Sequence, residues 1–211
     1  MVCRQGTARL IGVINYGISN LRSVANAFEA VATPYEIATD PDRVAKFDKL
    51  VVPGVGAFGA CMSALTENGF KEPLMAHAHA GKPLLGICVG MQMLADKGTE
   101  FGEHAGLGLV PGTVVQIPRS APEIRLPHVG WNVVDLKKDC VLTRNLPSER
   151  SAYFLHSFHF QARHETNIVA TVKYGSQLTA VVESDNIFGV QFHPEKSQLV
   201  GLAILKNFAA I

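Results

Sequence analysis

The sequence predicts an α/β fold with a mostly parallel central sheet, flanking helices and added antiparallel strands. In the first half, short β-rich runs alternate with amphipathic helical segments, which implies right-handed βαβ units and parallel strands. From about residue 106, strand signals follow one another with few helices between them, as in hairpins and mixed sheets. The 211 residues are 47% hydrophobic, so we expect a single domain spanning 1–211.

The first half supplies strand and helix signals in alternation. Leu21, Val24 and Phe28 recur at helical spacing, which places them on one buried helical face. Strands are expected at 9–16, 35–39, 49–54 and 83–88. Helices are expected at 20–32, 58–69 and 73–81, and a further helix is expected to begin directly after Cys88 and to include MQMLAD (91–96).

The second half is predicted to be rich in strands and to end in a helix. Strand signals cover 108–117, 130–136, 151–161, 167–175 and 179–193. The closing segment 197–211 places Leu202, Leu205 and Phe208 on one helical face, so we expect a terminal helix that packs on the sheet.

Composition excludes several classes of function. The net charge is +1, so the chain has no overall attraction for nucleic acid or anionic membranes. No apolar stretch has the length of a membrane span, and the start of the chain does not resemble a signal peptide. The cysteines Cys3, Cys61, Cys88 and Cys140 are widely scattered, which favours a reducing cytoplasm over a disulfide scaffold.

The segment PLLGICVGMQML (83–94) places a cysteine on a predicted strand-to-helix turn. Gly86, Cys88 and Gly90 match the spacing of a nucleophile elbow, G-x-nucleophile-x-G. At the helix N-terminus a thiolate would be favoured, and the Val89 N–H would face a developing oxyanion. The alternative is a buried core cysteine, and the glycine pair alone does not decide between the two.

A partner for this cysteine is found in GVQFHPEKS (189–197). His193 and Glu195 are two residues apart, so they would lie on the same side of an extended chain. The carboxylate would hold the imidazole in the tautomer that accepts a proton from sulfur. In isolation the pair would be interpreted as a solvated strand end. Together with the cysteine elbow, it favours a triad of Cys88, His193 and Glu195.

The segment PGVGAFG (53–59) formally matches a dinucleotide-binding G-x-G-x-x-G motif. The match is weak because the loop follows about the third strand, and because no acidic strand end stands at the usual distance. Glycines also let a peptide rotate so that its N–H becomes a second oxyanion donor. We therefore rank an oxyanion loop first, a plain turn second and a nucleotide loop third.

The remaining candidate groups carry less weight. His77 and His79 are two apart on a predicted helix, so they diverge, make a poor metal pair and are expected to be solvated. Cys3, Cys61 and Cys140 have no comparable partners and are expected to be structural or neutral. No metal site and no cofactor are predicted.

Together, GICVGMQ and FHPEKS resemble the class I (triad) glutamine amidotransferases. The order and content of further segments resemble, within that family, the glutaminase subunits of imidazole glycerol phosphate synthases. These segments are NYGISNLRSV (15–24), PGVGAFGACM (53–62), LPHVGWN (126–132), YFLHSFHF (153–160) and GVQFHPEKSQLVGLAILKNF (189–208). The resemblance covers nearly the whole chain and implies the flavodoxin-like fold of that family.

The resemblance also implies roles for individual residues. Cys88 would be the nucleophile, His193 the general base and then acid, and Glu195 the residue that orients it. The oxyanion loop would supply an N–H near Val55. The full implied set adds Val89 and Gly54 as oxyanion residues, and Gln92, Glu100, Ser157, Phe158 and His159 as glutamine-binding residues.

The implied reaction releases ammonia from glutamine through a cysteine thioester. In the family, the ammonia passes to a (β/α)₈ cyclase subunit, which converts PRFAR to imidazole glycerol phosphate and AICAR in histidine biosynthesis. The resemblance therefore implies a heterodimer and weak glutaminase activity until the partner holds its ligand, with the PGVG loop as the switch. Residues expected near the docking face are Asn20, Trp131, Asn132, Tyr153 and Lys196.

The chain departs from the usual family pattern at four positions. Asn15 replaces an aspartate and Ser19 a glycine, both in the presumed interface, while Ala60 replaces an acidic residue and Phe158 a tyrosine. These departures leave open a divergent paralogue that supplies ammonia to another synthase, or a non-catalytic regulatory subunit. A cysteine hydrolase or peptidase of similar fold is a further alternative, disfavoured by the HPEK segment and the glutamine-pocket residues.

Overall fold

The computed structural model describes residues 10–122 and 124–211, so Cys3 and the start of the strand expected at 9–16 lie outside the described residues. Within these ranges the chain forms thirteen strands. They are β1 (Ile11–Ile14), β2 (Tyr35–Ala38), β3 (Lys49–Gly54), β4 (Leu84–Cys88), β5 (Lys97–Gly98), β6 (His104–Ala105), β7 (Gly112–Gln116), β8 (His128–Leu136), β9 (Ser151–His156), β10 (Phe158–Ala162), β11 (Ile168–Tyr174), β12 (Ser176–Ser184) and β13 (Ile187–Val190).

Five α-helices lie between and after these strands in the described ranges. They are α1 (Leu21–Ala30), α2 (Phe58–Glu67), α3 (Lys71–His79), α4 (Val89–Gln92) and α5 (Gln198–Ala210). Apolar side chains at helical spacing explain the long helices. In α5, for example, Val200, Ile204, Leu205 and Phe208 are buried, so the helix packs its apolar face against the body of the protein.

Nine strands form the central sheet in the order β2-β1-β3-β4-β13-β12-β11-β8-β9. The strands from β2 to β13 pair in parallel, whereas those from β13 to β9 pair antiparallel. Strands β3 and β4 are buried at every residue, as expected for parallel strands covered on both faces. The predicted fold class, a parallel core with added antiparallel strands, is confirmed.

A second, four-stranded sheet has the order β10-β7-β5-β6. Its presence corrects one expectation, because the single strand predicted over 151–161 is two strands in different sheets. Strand β9 ends at His156 and β10 begins at Phe158, with Ser157 between them. The Ser157 carbonyl accepts a hydrogen bond from the Ile117 N–H, so the chain leaves the central sheet at this residue.

Two further expectations differ from the structure. The helix after Cys88 is the single turn α4, because the chain turns away after Gln92 and enters the short strands β5 and β6. His77, expected to be solvated, is buried, and its ring Nε2 lies 3.2 Å from the Pro83 carbonyl. Helix α3 rests on the chain that enters β4, so one histidine of the pair points inward while His79 is exposed.

The described part of the chain has no helix that is both long and apolar enough to span a bilayer.

Candidate active site

Three neighbouring parallel strands bring the predicted site residues to one edge of the sheet. Strand β4 lies between β3 and β13, with Gly54 in register with Cys88 and Val190 with Ile87. The carboxyl ends of parallel strands meet at the same edge. The glycine loop after β3, the cysteine at the end of β4 and the histidine after β13 are therefore neighbours, although they are far apart in sequence.

Cys88 sits on a sharp turn between β4 and α4. Its backbone angles are φ 55° and ψ −112°, a conformation that a residue with a side chain rarely adopts. Close packing explains the flanking glycines: a Cβ on Gly90 would lie 1.8 Å from the Val52 carbonyl oxygen, and one on Gly86 2.5 Å from the Gly90 oxygen. The turn therefore has the strained geometry of a nucleophile elbow.

The shortness of α4 changes the electrostatic explanation for a reactive Cys88. A helix of one turn has few aligned peptides, so its macrodipole is smaller than that of the longer helix expected from sequence. The side-chain surroundings of the sulfur are therefore more important. Cys88 and His193 line the same cavity, and the interaction of the cysteine with the imidazole raises the pKa of His193, so the imidazole is the available partner for the thiol proton.

His193 and Glu195 form a buried ion pair. Nδ1 of His193 lies 2.8 Å from Oε1 of Glu195, and their side chains are 5% and 2% exposed. The two meet through a 3₁₀ turn at Pro194–Lys196, and not through the extended chain expected from the sequence. The Ser197 hydroxyl fastens this turn, because it donates to the His193 carbonyl and accepts from the Tyr153 N–H.

Charges and hydrogen bonds determine the protonation of His193. Burial lowers the pKa of its imidazole, but hydrogen bonds and charge from Cys88 and Glu195 outweigh burial and raise that pKa well above its ordinary value of 6.5. Because Nδ1 is bonded to Glu195, Nε2 is the ring nitrogen available for proton exchange with the sulfur. The arrangement can hold an imidazolium beside a thiolate and can deliver a proton to a leaving group.

Gln191 is a residue near the sulfur that the sequence motifs did not indicate. Its side chain is fully buried, and its Nε2 lies 3.8 Å from the Cys88 sulfur. Its Oε1 accepts a hydrogen bond of 3.0 Å from Gln92 Nε2, which turns the Gln191 amide nitrogen towards the cysteine. The sequence does contain one signal for Gln191: it lies two residues before His193 at the end of a strand, a spacing that puts both side chains on the same side of an extended chain.

One cavity contains the cysteine, the histidine and the glycine loop. Its floor carries Cys88 and Gln92, and Glu100 contributes a half-buried carboxylate to its wall. The other residues that line it are Asn20, Val55, Gly56, Val89, Leu155, His156, Ser157, Phe158, His193 and Lys196. A thiol, an imidazole, a carboxylate and an ammonium thus share a site that also presents backbone groups.

The predicted oxyanion loop lies against the elbow. Val55 and Gly56 line the cavity, and Gly56 has φ +90°, which favours glycine at this position. Gly54 lies behind them: a Cβ there would be 2.7 Å from the Gly90 nitrogen, so the loop packs directly on the turn that carries Cys88. This position beside the Cys88 turn fits an oxyanion loop better than a nucleotide loop.

The residues expected to bind glutamine occupy different depths. Gln92 is 2% exposed and donates to the Phe158 carbonyl at 2.9 Å, so it ties the floor of the cavity to its wall. Glu100 accepts a hydrogen bond from the Phe58 N–H at 2.8 Å and thereby caps α2. Ser157 and Phe158 line the wall, whereas His159 is buried behind it and does not line the cavity.

A pair of buried histidines supports this wall. Nδ1 of His156 lies 2.8 Å from the Phe158 carbonyl oxygen, and Nε2 of His156 lies 3.0 Å from Nδ1 of His128. Burial lowers the pKa of both imidazoles, to about 3 for His156 and about 4 for His128. Two neutral imidazoles, each with one N–H, can form both of these hydrogen bonds. The wall is therefore held without a buried charge.

An exposed apolar surface lies on the hairpin of β8 and β9. Val129, Trp131 and Val133 alternate along β8 and are 54%, 48% and 51% exposed, and Leu155 on β9 is 41% exposed. Leu155 also lines the cavity, so the apolar surface reaches the mouth of the site. Exposed apolar residues in a contiguous group are typical of an interaction surface.

The other residues expected at the docking face are divided between this surface and the interior. The Lys196 ammonium lies 5.7 Å from the ring centre of Tyr153, and the Tyr153 and Trp131 rings are in an edge-to-face arrangement. Asn20 and Lys196 both line the cavity mouth. Asn132 lies on the opposite face of β8 from Trp131, and its side chain donates to the Lys173 carbonyl at 3.0 Å.

In the part of the chain that the structure describes, no group of three or more His, Cys, Asp or Glu side chains is arranged to hold a metal ion. The family departures Asn15 and Ser19 lie outside the triad: Asn15 accepts from the Gly17 N–H at 3.2 Å in a local turn, and the Ser19 hydroxyl is buried without a hydrogen-bond partner.

Comparison with known proteins identifies a family match over most of the chain. Residues 12–211 match the family described as glutamine amidotransferase class-I. A protein of Syntrophotalea carbinolica named imidazole glycerol phosphate synthase subunit HisH is 46% identical over 94% of this chain and 98% of its own. The protein of that name from Wolinella succinogenes is 44% identical over 96% of this chain and 100% of its own.

Solved structures share the fold at lower sequence identity. The structure of PurLQS from Thermotoga maritima superposes with a TM-score of 0.75 at 20% identity and covers 96% of this chain and 98% of its own. A glutamine amidotransferase from the same organism superposes with a TM-score of 0.64 at 16% identity over 90% of this chain and 77% of its own. At these identities the likeness is one of fold.

Proposed function

The chain belongs to the class I glutamine amidotransferase family, and we propose that it works as the glutaminase subunit of an imidazole glycerol phosphate synthase. Relatives named as HisH subunits of that enzyme match it at 43–46% identity over nearly the whole chain. One observation carries the proposal: Cys88 on a strained elbow shares a cavity with His193, while Glu195 holds the imidazole from behind.

The chemistry begins with attack of the Cys88 sulfur on the side-chain amide carbon of glutamine. The thiolate electron pair forms the C–S bond, and the carbonyl electrons move onto oxygen. As the tetrahedral intermediate collapses, the C–N bond breaks and the His193 imidazolium gives its proton to the departing nitrogen. Ammonia leaves, and a γ-glutamyl thioester remains on Cys88.

Hydrolysis of the thioester completes the cycle. A water molecule attacks the thioester carbon while neutral His193 accepts its proton. The C–S bond then breaks, glutamate leaves, and the thiolate–imidazolium pair is restored. Glu195 stabilises the imidazolium in both halves of the reaction, because its carboxylate lies against Nδ1 throughout.

The developing oxyanion needs donors on the side away from His193. The Val89 N–H follows the nucleophile directly on the elbow, and the N–H of Val55 belongs to the loop that packs against it. We assign these two peptides to the oxyanion hole. We assign the Glu100 carboxylate to the substrate ammonium and the backbone at Ser157 and Phe158 to the substrate carboxylate.

The partner in this proposal is a (β/α)₈ cyclase subunit that covers the cavity mouth. The apolar surface of Val129, Trp131 and Val133 continues through Leu155 into the cavity, so a partner seated there would enclose the site. Enclosure would carry ammonia into the cyclase without loss to solvent. A cytoplasmic location is part of the proposal and is supported by the free thiols of Cys61, Cys88 and Cys140.

The test is formation of imidazole glycerol phosphate from PRFAR by the chain mixed with a cyclase subunit. Glutamine should support product formation with wild-type protein, while the Cys88→Ala variant should support it only when ammonium salt is added. Failure of glutamine to support product, despite formation of the complex and release of glutamate, would contradict this synthase and favour a paralogue that feeds another acceptor.

A non-catalytic regulatory subunit is the alternative from another functional class. The glutamine analogue DON distinguishes the two, because it alkylates a competent nucleophile in a glutamine site. We expect the label on the peptide that contains Cys88, and no label on that peptide in Cys88→Ala. An unlabelled Cys88 in the wild-type complex would support the regulatory subunit.

A further inference from the structure

Two buried side chains hold carbonyl groups of the glycine loop after β3. The Tyr16 hydroxyl donates to the Pro53 carbonyl at 2.8 Å, and the Cys61 thiol donates to the Val55 carbonyl at 3.2 Å. Tyr16 comes from the loop after β1 and Cys61 from α2, so two different parts of the chain hold the glycine loop.

The positions of these carbonyls leave one peptide between the two anchors. The Pro53 oxygen belongs to the peptide that joins Pro53 to Gly54, and the Val55 oxygen to the peptide that joins Val55 to Gly56. The peptide between Gly54 and Val55 carries the N–H assigned to the oxyanion hole. A single peptide whose neighbours are fixed can still rotate about the line between its two Cα atoms, if ψ of one residue and φ of the next change in opposite senses.

The two anchors are fully buried and keep their protons. Tyr16 and Cys61 are both 0% exposed, and their side chains also interact with each other. Burial raises the pKa of the Tyr16 phenol and of the Cys61 thiol, so both remain hydrogen-bond donors at neutral pH. The Tyr16 hydroxyl further packs on Gly54, where a Cβ would lie 2.9 Å from its oxygen.

We propose that Tyr16 and Cys61 are positioning residues that fix the two peptides on either side of the Gly54–Val55 peptide and so confine loop movement to the rotation of that one peptide. The inference rests on the proposed function, because it gives the Val55 N–H its role in the oxyanion hole. It assigns a use to Cys61, for which the sequence indicates only a structural or neutral role.

The physical consequence of losing an anchor is a less ordered donor, and not a lost substrate contact. Without the hydroxyl the buried Pro53 carbonyl loses a partner, and without the thiol the partly buried Val55 carbonyl does, so the loop gains alternative positions. An oxyanion donor acts through its alignment with the transition state, so disorder lowers kcat. Neither anchor lines the cavity, so the KM for glutamine is expected to change little.

The test uses Tyr16→Phe, Cys61→Ala and Cys61→Ser in the complex with the cyclase partner and its ligand. We expect Tyr16→Phe and Cys61→Ala each to lower kcat for glutamine hydrolysis about tenfold with KM within about twofold, since full loss of one oxyanion donor costs more than this. Cys61→Ser restores a donor and should recover kcat to within about threefold of wild type. The matched controls are Tyr35→Phe and Cys140→Ala, which remove a remote hydroxyl and another buried thiol.

A second measurement keeps the inference separate from the proposed function. Hydrogen–deuterium exchange of the peptide that spans 53–58 should be faster in Tyr16→Phe and Cys61→Ala than in wild type, Cys61→Ser and both controls. Unchanged exchange in all variants would overturn the anchoring, even where the wild-type complex hydrolyses glutamine. If exchange is faster in the two variants but the wild-type complex does not hydrolyse glutamine, the anchoring stands and the proposed function is overturned. Faster exchange with unchanged kcat would overturn the positioning role.

Discussion

Nδ1 of His193 lies 2.8 Å from Oε1 of Glu195, and neither side chain has appreciable contact with solvent. A buried carboxylate so close to Nδ1 keeps a proton on that nitrogen and leaves Nε2 to exchange a proton with the Cys88 thiol. The second Glu195 oxygen, Oε2, is buried without a hydrogen-bond partner. The carboxylate is therefore directed at a single partner, the imidazole.

The first prediction concerns Glu195→Gln. The amide keeps the size of the side chain but removes the negative charge that stabilises the imidazolium, and its N–H₂ group can force the opposite tautomer. We expect kcat for glutamine hydrolysis to fall by about 10² to 10⁴-fold, as for the equivalent change in other nucleophile–His–carboxylate triads. Glu183→Gln, which alters a carboxylate bonded to Lys138 and Cys140, serves as the control. Equal activity of the two variants would show that Glu195 has no role in catalysis.

The second prediction concerns Gln191→Leu. The substitution removes the amide that faces the Cys88 sulfur and the acceptor that holds Gln92. We expect alkylation of Cys88 by iodoacetamide and kcat/KM for glutamine each to fall by about tenfold, the value of one hydrogen bond to a charged group. The peptide-level alkylation rate is measured by mass spectrometry, with Gln177→Leu on an exposed strand position as the control. An alkylation rate of Cys88 equal to that of wild type would show that the Gln191 amide does not contribute to the reactivity of Cys88.

The third prediction concerns Gly90→Ala. A methyl group there would lie 1.8 Å from the Val52 carbonyl oxygen, so β3 and the elbow must separate. We expect the free energy of unfolding in urea to fall by about 3 kcal/mol or more. Gly81→Ala, which meets no atom within 4 Å but has φ +74°, should cost only about 1 kcal/mol for backbone strain. Similar losses in the two variants would contradict the close packing at the elbow.

The fourth prediction concerns acid stability and His77. Burial lowers the pKa of His77 from 6.5 to about 4, so the folded protein binds its proton less readily than the unfolded chain. The contribution of neutral His77 is fully present above about pH 6.5 and is lost as pH falls through 6.5 towards 4. His77→Gln keeps a donor for Pro83 but does not titrate, so its unfolding free energy should drop less than that of wild type between about pH 7.5 and pH 5, by about 2 kcal/mol.

The neighbour His79 provides the control for this experiment. It is exposed on the same helix, so His79→Gln should leave the pH dependence as in wild type. Identical pH dependence for His77→Gln and wild type would contradict the burial of His77.

The fifth prediction concerns the apolar surface of β8. Trp131 is 48% exposed and lies between Val129 and Val133, at the centre of that surface. We expect Trp131→Ala to weaken binding of the cyclase subunit by about 30-fold or more in titration calorimetry, as for a central aromatic residue of an interface. Arg43→Ala, near the opposite edge of the central sheet, should bind as wild type does. Unchanged affinity for Trp131→Ala would place the interface elsewhere.

Local patterns were sufficient to predict most of the fold. Strand β3 has the predicted bounds, and α1 and α2 differ from prediction by at most two residues at either end, because apolar spacing and glycine turns specify these elements locally. The break at Ser157 was not predictable in this way. The run 151–161 has β-rich composition throughout, and only pairing with β8 on one side and β7 on the other divides it between two sheets.

The candidate site shows the same division between local and long-range information. The Cys88 elbow and the His193–Glu195 pair were visible as short motifs, although the helix after Cys88 is shorter than predicted and the pair meets through a 3₁₀ turn. Gln191 and Tyr16 were missed because their contacts are made between segments far apart in the chain. Cys61 was left without a role because its bond to the nearby Val55 carbonyl depends on how α2 packs beside the glycine loop. Hydrogen bonds of this kind depend on tertiary packing and leave no periodic signal.

The most direct test of the proposed function is glutamate production by the wild-type chain, measured alone, with the cyclase partner, and with the cyclase partner and PRFAR. We predict slow production alone, a rise of at least about tenfold when partner and ligand are both present, and loss of production in Cys88→Ala under every condition. Production that persists in Cys88→Ala, or none in the complete wild-type complex, would contradict the proposed function.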